Sequence, residues 1–145
     1  MSGLLLGTVA LRRFIAGDPV LHDWLEQRPD DAVHLTVVSI GEVLAQAEAK
    51  RDVVQRRLWA ERLINTIPAD FGPRLHSFDL PAAKQWSALR ACLNSDPPTF
   101  VESDLAVVAI ALDRRLDYIA PRESWHDRIS GLRQHDPWTA TSYPT

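Results

Sequence analysis

Short apolar pieces of strand character alternate with helical stretches along the whole chain, and this alternation constrains the fold more than any other feature. Leu4-Leu5-Leu6 reads as a short buried strand ended by Gly7. Residues 33–37 are rich in β-branched side chains and read as a second strand. Residues 75–78 form a short extended piece, 116–120 a further strand and 132–135 an edge strand. Between them, helical spacing of apolar residues covers 8–16, 20–26, 39–50, 52–66, 80–93, the run from Asp104 and 123–130. Val53, Leu58, Leu63 and Ile64 are the expected core contacts of the fourth helix, and Trp86 and Leu89 mark the inner face of the fifth. Leu105-Ala106-Val107-Val108-Ala109-Ile110-Ala111-Leu112 is almost wholly apolar, so its helix must be buried on most sides. Residues 68–73 and 94–99 read as loops. Strands separated by helices imply an α/β fold with a parallel sheet between two helical layers. Right-handed crossovers place all strand C-termini on one edge, where ligands and chemistry collect.

The chain of 145 residues suits one domain, expected over 1–138, with a flexible tail over 139–145. At 46% hydrophobic and 24% charged residues it has the profile of a soluble globular protein. No apolar run approaches the ~18–20 residues of a membrane span, and residues 1–6 lack the basic start of a secretory signal. A cytoplasmic location follows as an expectation. Cys92 is the only cysteine, so disulfides and cysteine-based zinc sites are excluded; its place in an amphipathic helix predicts a small buried hydrophobe. The five histidines are scattered, with no metalloprotease-type pair. A net charge of −3 argues against a binder that relies on bulk electrostatics, but not against a nuclease that gathers carboxylates around metal ions.

Three carboxylates fall at that edge. Glu42 follows the second strand, Asp104 opens the apolar helix, and Glu123 follows the strand over 116–120. Clustered carboxylates repel one another, so a cation belongs between them, and oxygen-only ligands favour Mg²⁺ or Mn²⁺ over zinc. Such a site activates water and stabilises charge on a transferring phosphate. Each acid also has a purely structural reading. Ser39-Ile40-Gly41-Glu42 has the pattern of a capping box. Asp104 complements a helix dipole behind a Ser103 cap, and Glu123 lies in a first turn beside Arg122. Spacing alone leaves both readings open.

Several motifs carry a resemblance. Leu4-Leu5-Leu6-Gly7-Thr8-Val9 is similar to the first strand of the PIN-domain toxins of the VapC/FitB type, which ends in Asp-Thr-Asn. Ser39-Ile40-Gly41-Glu42 resembles their second acidic motif. Residues 102–111, with Asp104 as the acid, resemble their Pro-Ala-Asp segment and apolar helix. Leu116-Asp117-Tyr118-Ile119-Ala120-Pro121-Arg122-Glu123 resembles the last inner strand and its Thr-Arg-Asp/Asn motif. Gly131-Leu132 and Asp136-Pro137-Trp138 resemble the usual ending. The matches run in order over nearly the whole chain.

The resemblance implies a PIN-like three-layer α/β/α fold and a Mg²⁺- or Mn²⁺-dependent endoribonuclease toxin, usually dimeric and restrained by a VapB-like antitoxin. Glu42, Asp104 and Glu123 would hold metal, Thr8 and Ser39 would orient metal-bound water, and Arg12 and Arg13 would contact RNA phosphates. Capping explains Thr8 and Ser39 equally, and a solvated helix face explains the two arginines. The departures bear on function. Gly7 stands where the family has its first catalytic Asp, Val9 where it has Asn, and Glu102-Ser103 where it has Pro-Ala. Glu102 and Asp18 are the candidates to compensate. Two functions follow: a toxin-family nuclease that is weak or inactive, or a non-catalytic PIN-like module that binds RNA, an antitoxin or an active paralogue. Trp24 and Trp59 are candidates for a partner surface, or else for the core.

Overall fold

Five short strands form a sheet that is parallel throughout, in the order β3-β2-β1-β4-β5. The structure is a computed structural model and describes residues 3–93 and 100–139. The loop expected over 94–99 and the tail beyond Thr139 lie outside the described residues. The strands are β1 (Leu4–Leu6), β2 (Val33–Thr36), β3 (Leu75–His76), β4 (Asp117–Ile119) and β5 (Gln134–His135). The helices are α1 (Thr8–Ile15), α2 (Pro19–Glu26), α3 (Val37–Glu48), α4 (Val53–Glu61), α5 (Ile67–Phe71), α6 (Leu80–Cys92) and α7 (Glu102–Arg114).

Side chains alternate across the central strands, as a sheet buried on both faces requires. Leu5 and Tyr118 join the core formed with α6 and α7, whereas Leu4, Leu6 and Ile119 join the core on the opposite face with α1 to α5. The apolar run of α7 is as buried as its composition demands, with Leu105 and Val107 through Ala111 all inaccessible. The result is the expected three-layer α/β/α sandwich.

Several local expectations are corrected. Helix α3 starts at Val37, two residues early, because Thr36 is its cap: the Thr36 hydroxyl accepts from Ser39 N–H at 3.0 Å. Ser39-Ile40-Gly41-Glu42 is therefore inside the helix and is not a capping box. Helix α7 starts at Glu102 behind Val101, so Ser103 is not its cap. The stretch read as a loop from Pro68 is helical to Phe71. A widened π-type turn over Arg62–Thr66 precedes Pro68, whose ring and missing N–H cannot continue a regular helix.

The inner face of α4 is Trp59, with Leu63 and Ile67 continuing it, while Val53, Leu58 and Ile64 are exposed. Trp59 thus belongs to the core; Trp24 is half-buried, with the Arg28 guanidinium 3.4 Å from its ring centre. Cys92 is exposed rather than buried. No described helix is long and apolar enough to cross a membrane.

Candidate active site

Because every strand runs the same way, β1, β2 and β4 end on one edge, and their exits converge on the N-terminal turns of α1, α3 and α7. Beneath this edge lies a small polar knot. Thr8, the first residue of α1, shares a hydrogen bond with Ser39 at 3.2 Å, and Thr36 reaches Ser39 with both its capping bond and a 3.3 Å hydroxyl contact. All three side chains are buried. Thr8 and Ser39 therefore tie α1 to α3 by satisfying each other.

Above the knot opens a cleft of about 350 Å³ lined by Val9, Arg12, Arg13, Asp104, Tyr118, Ala120, Pro121 and Glu123. Two expected acids, Asp104 and Glu123, meet here. Glu42 does not line the cleft, but its charge still reaches Asp104. The Asp104 carboxyl is pushed up from 3.8 to about 6, first by burial and then by the charges of Glu123 and Glu42. The cleft thus holds a carboxyl poised to titrate close to neutrality.

Arg12 and Arg13 form the opposite wall. Arg12 donates to Gln46 at 3.2 Å, and the Arg13 guanidinium lies 4.5 Å from the centre of the Trp138 ring. The two acids considered as substitutes for the missing carboxylate are elsewhere. Glu102 is exposed and pairs with Arg90 at 3.1 Å. Asp18 caps α2 and accepts from the Trp138 indole at 2.8 Å.

Two residues in or beside the cleft were not anticipated from sequence. His126, buried behind Glu123, accepts from Glu123 N–H through Nδ1 at 3.1 Å, which leaves the neutral ring's proton on Nε2. That Nε2 stands 3.8 Å from the Glu123 carboxylate, and burial holds the imidazole below its ordinary range, so it is neutral at pH 7. The other is Tyr118, whose ring packs edge-on to His126 at 5.5 Å. A Cβ on Gly7 would lie 2.9 Å from Tyr118 Cε1, 3.0 Å from Oη and 3.1 Å from Cζ. The backbone of Gly7, at φ −72° and ψ 176°, is one that any residue adopts. Tyr118, not the backbone, is what crowds a side chain here. Strand alternation puts positions 7 and 118 on the same face, but only the β1–β4 register, with Leu5 opposite Tyr118, makes them neighbours.

No protein-family model and no curated protein sequence matches the chain. Solved structures do. A chain of FitAcB from Neisseria gonorrhoeae superposes with a TM-score of 0.80 at 19% identity, covering 93% of this chain and 98% of that one. FitAB bound to an IR36 DNA fragment gives 0.81 at 16% identity, with 97% and 99% covered. VapBC-5 from Mycobacterium tuberculosis gives 0.64 at 22%, with 94% and 98% covered. The fold is PIN-like, of the VapC/FitB type.

A PIN-like cleft would hold its divalent cation between carboxylates. Here the donor set does not fit one. The strand-end position is Gly7 and carries no ligand, Tyr118 fills the space beside it, and Glu42 is not among the residues lining the cleft. Among the described residues, no group of three or more His, Cys, Asp or Glu side chains is placed to hold a metal ion.

Proposed function

We propose that the protein is a toxin-type subunit of a toxin–antitoxin pair in which metal-dependent RNA cleavage is weak or absent and partner binding is the retained activity. The observation that carries the reading is the combination of a PIN-like fold, matched end to end with chains of FitAcB and FitAB, and a cleft lacking the first strand-end carboxylate. Disturbing a residue that merely orients a ligand commonly costs ~10–100-fold in metal affinity or activity, and losing a ligand costs at least that. A small antitoxin-like protein is the expected partner, and a homodimer the expected assembly. RNA phosphates are the expected contact of Arg12 at the cleft wall, while Arg13 is partly engaged by Trp138.

The test is an RNA-cleavage assay on purified protein with Mg²⁺ and with Mn²⁺, paired with co-expression beside a VapB-like antitoxin. The reading expects cleavage no faster than that of an Asp104→Asn control, together with a stoichiometric complex. Fast cleavage abolished by Asp104→Asn would restore the full enzyme. Absence of both cleavage and complex would remove the toxin-type reading altogether.

A further inference from the structure

Gly7 by itself removes one carboxylate from the strand-end position. Here the space beside it is already filled. Cε1, Cζ and Oη of Tyr118 stand within 3.1 Å of where a Cβ at position 7 would be, so an aspartate there would require the Tyr118 ring to shift. Contacts below 3.0 Å require something to move, and Tyr118 is poorly placed to move. It is 3% exposed, sits in the core shared with α6 and α7, and is flanked by the His126 ring. A tightly packed interior resists insertion of even one or two heavy atoms.

We propose that Tyr118 is the residue that keeps divalent cations out of this cleft, and that Gly7 and Tyr118 form a coupled pair. This inference rests on reading the cleft as a PIN-like one. Chemically, the exchange replaces an anionic ligand by a neutral phenol. Burial and the charges of Asp104 and Glu123 hold the phenol well above its ordinary range, so no phenolate forms to serve as a ligand. A hydrated Mg²⁺ or Mn²⁺, which keeps several waters when bound, would need open space beside position 7, where the ring edge lies. Restoring the acid alone does not restore the site.

Leucine at position 118 identifies the cause, because it keeps the side chain to the Cδ level and deletes the three atoms that block position 7. Phenylalanine is the counterpart, since it removes only Oη and leaves Cε1 and Cζ in place. We would titrate Mn²⁺ by calorimetry into wild type, Gly7→Asp, Gly7→Asp/Tyr118→Leu and Gly7→Asp/Tyr118→Phe. Thermal melts of Gly7→Ala and of Tyr118→Leu, alone and together, would accompany the titrations.

The expected result is Mn²⁺ binding by Gly7→Asp/Tyr118→Leu at least ~10-fold tighter than by the other three. Gly7→Ala is expected to lower Tm by at least ~3 °C when Tyr118 is retained and clearly less in the Tyr118→Leu background. Equal binding by Gly7→Asp and the double variant would overturn the role of Tyr118 while leaving the cleft's PIN-like reading intact. So would Mn²⁺ binding by the wild type. Failure of every folded variant to bind would overturn the proposal and count against the inherited cleft itself. If Gly7→Asp does not fold, the melts decide, and additive Tm changes would sink the coupling.

Discussion

Asp104 carries a carboxyl whose charge the fold opposes, because it is half-buried, shares the cleft with Glu123 and feels the charge of Glu42 from outside it. Its folded value of about 6 lies above the ordinary 3.8, so the folded state binds the proton more tightly than the unfolded chain. Stability therefore rises as pH falls from about 6 towards 3.8, and Asp104 costs stability above that window. Asp104→Asn is expected to raise Tm by roughly 2–5 °C at pH 7.5, the gain fading as pH drops through the window and vanishing near pH 4. A melt series across pH checks it, and a pH-independent gain would point to packing instead. Thr36 presents the opposite case, a polar group the fold needs. Thr36→Val removes the α3 cap and strips the buried Ser39 hydroxyl of one partner, so a loss of about 1–2 kcal/mol is expected in urea unfolding. Of the site, the sequence made Asp104 and Glu123 legible, because acids after strands or at helix starts fall on one edge of a parallel sheet. Tyr118 was not legible, since its importance lies in a register between β1 and β4 that no local pattern encodes.

Elements were easiest to read where burial is confined to one face or nearly complete, and hardest where helix ends or irregular turns set the phase. The strands, α1, α2, α6 and the buried α7 follow directly from apolar spacing. α4 does not. Of the expected contacts Val53, Leu58 and Ile64 are exposed, and the inward face runs through Trp59 and, across the widened turn over Arg62–Thr66, Leu63 and Ile67. Leu58, one residue from Trp59, is instead 55% exposed. The two neighbours should therefore respond very differently to truncation. Trp59→Ala removes a core side chain and is expected to cost ~3–5 kcal/mol. Leu58→Ala should stay within about 0.5 kcal/mol of wild type. Paired denaturant titrations with matched m-values test this, and similar losses at both positions would mean the α4 phase is wrong. The α3 start was misread for a related reason. Ser39 and Thr36 are both good caps, and only the geometry of the β2 exit selects Thr36.

At the scale of the whole molecule, the C-terminal Asp136-Pro137-Trp138 segment closes the fold on its beginning. The Trp138 indole donates to Asp18, 120 positions earlier, at 2.8 Å, and the ring packs against the core of α1 to α5. Asp136 fixes the segment by accepting from Trp138 N–H at 3.0 Å and from Arg122 N–H at 2.9 Å. Arg13 stacks on the same ring, so this clasp also holds one wall of the cleft. Trp138→Ala is expected to cost about 2–4 kcal/mol by losing packing, the hydrogen bond and the cation–π contact together. Trp138→Phe keeps the apolar body and the face under Arg13 but loses the indole N–H, so it should recover a large part of that loss. The remainder has a pH signature. The indole bond is the largest of the effects that hold the Asp18 carboxyl below its ordinary 3.8. Stability from a depressed carboxylate is fully present above the unfolded value and disappears as pH falls through the folded one. The gap between wild type and Trp138→Phe should accordingly be constant from pH 7 to about 4.5 and shrink below about 3.8. A gap that persists unchanged into acid would assign the residual cost to shape rather than to the bond with Asp18.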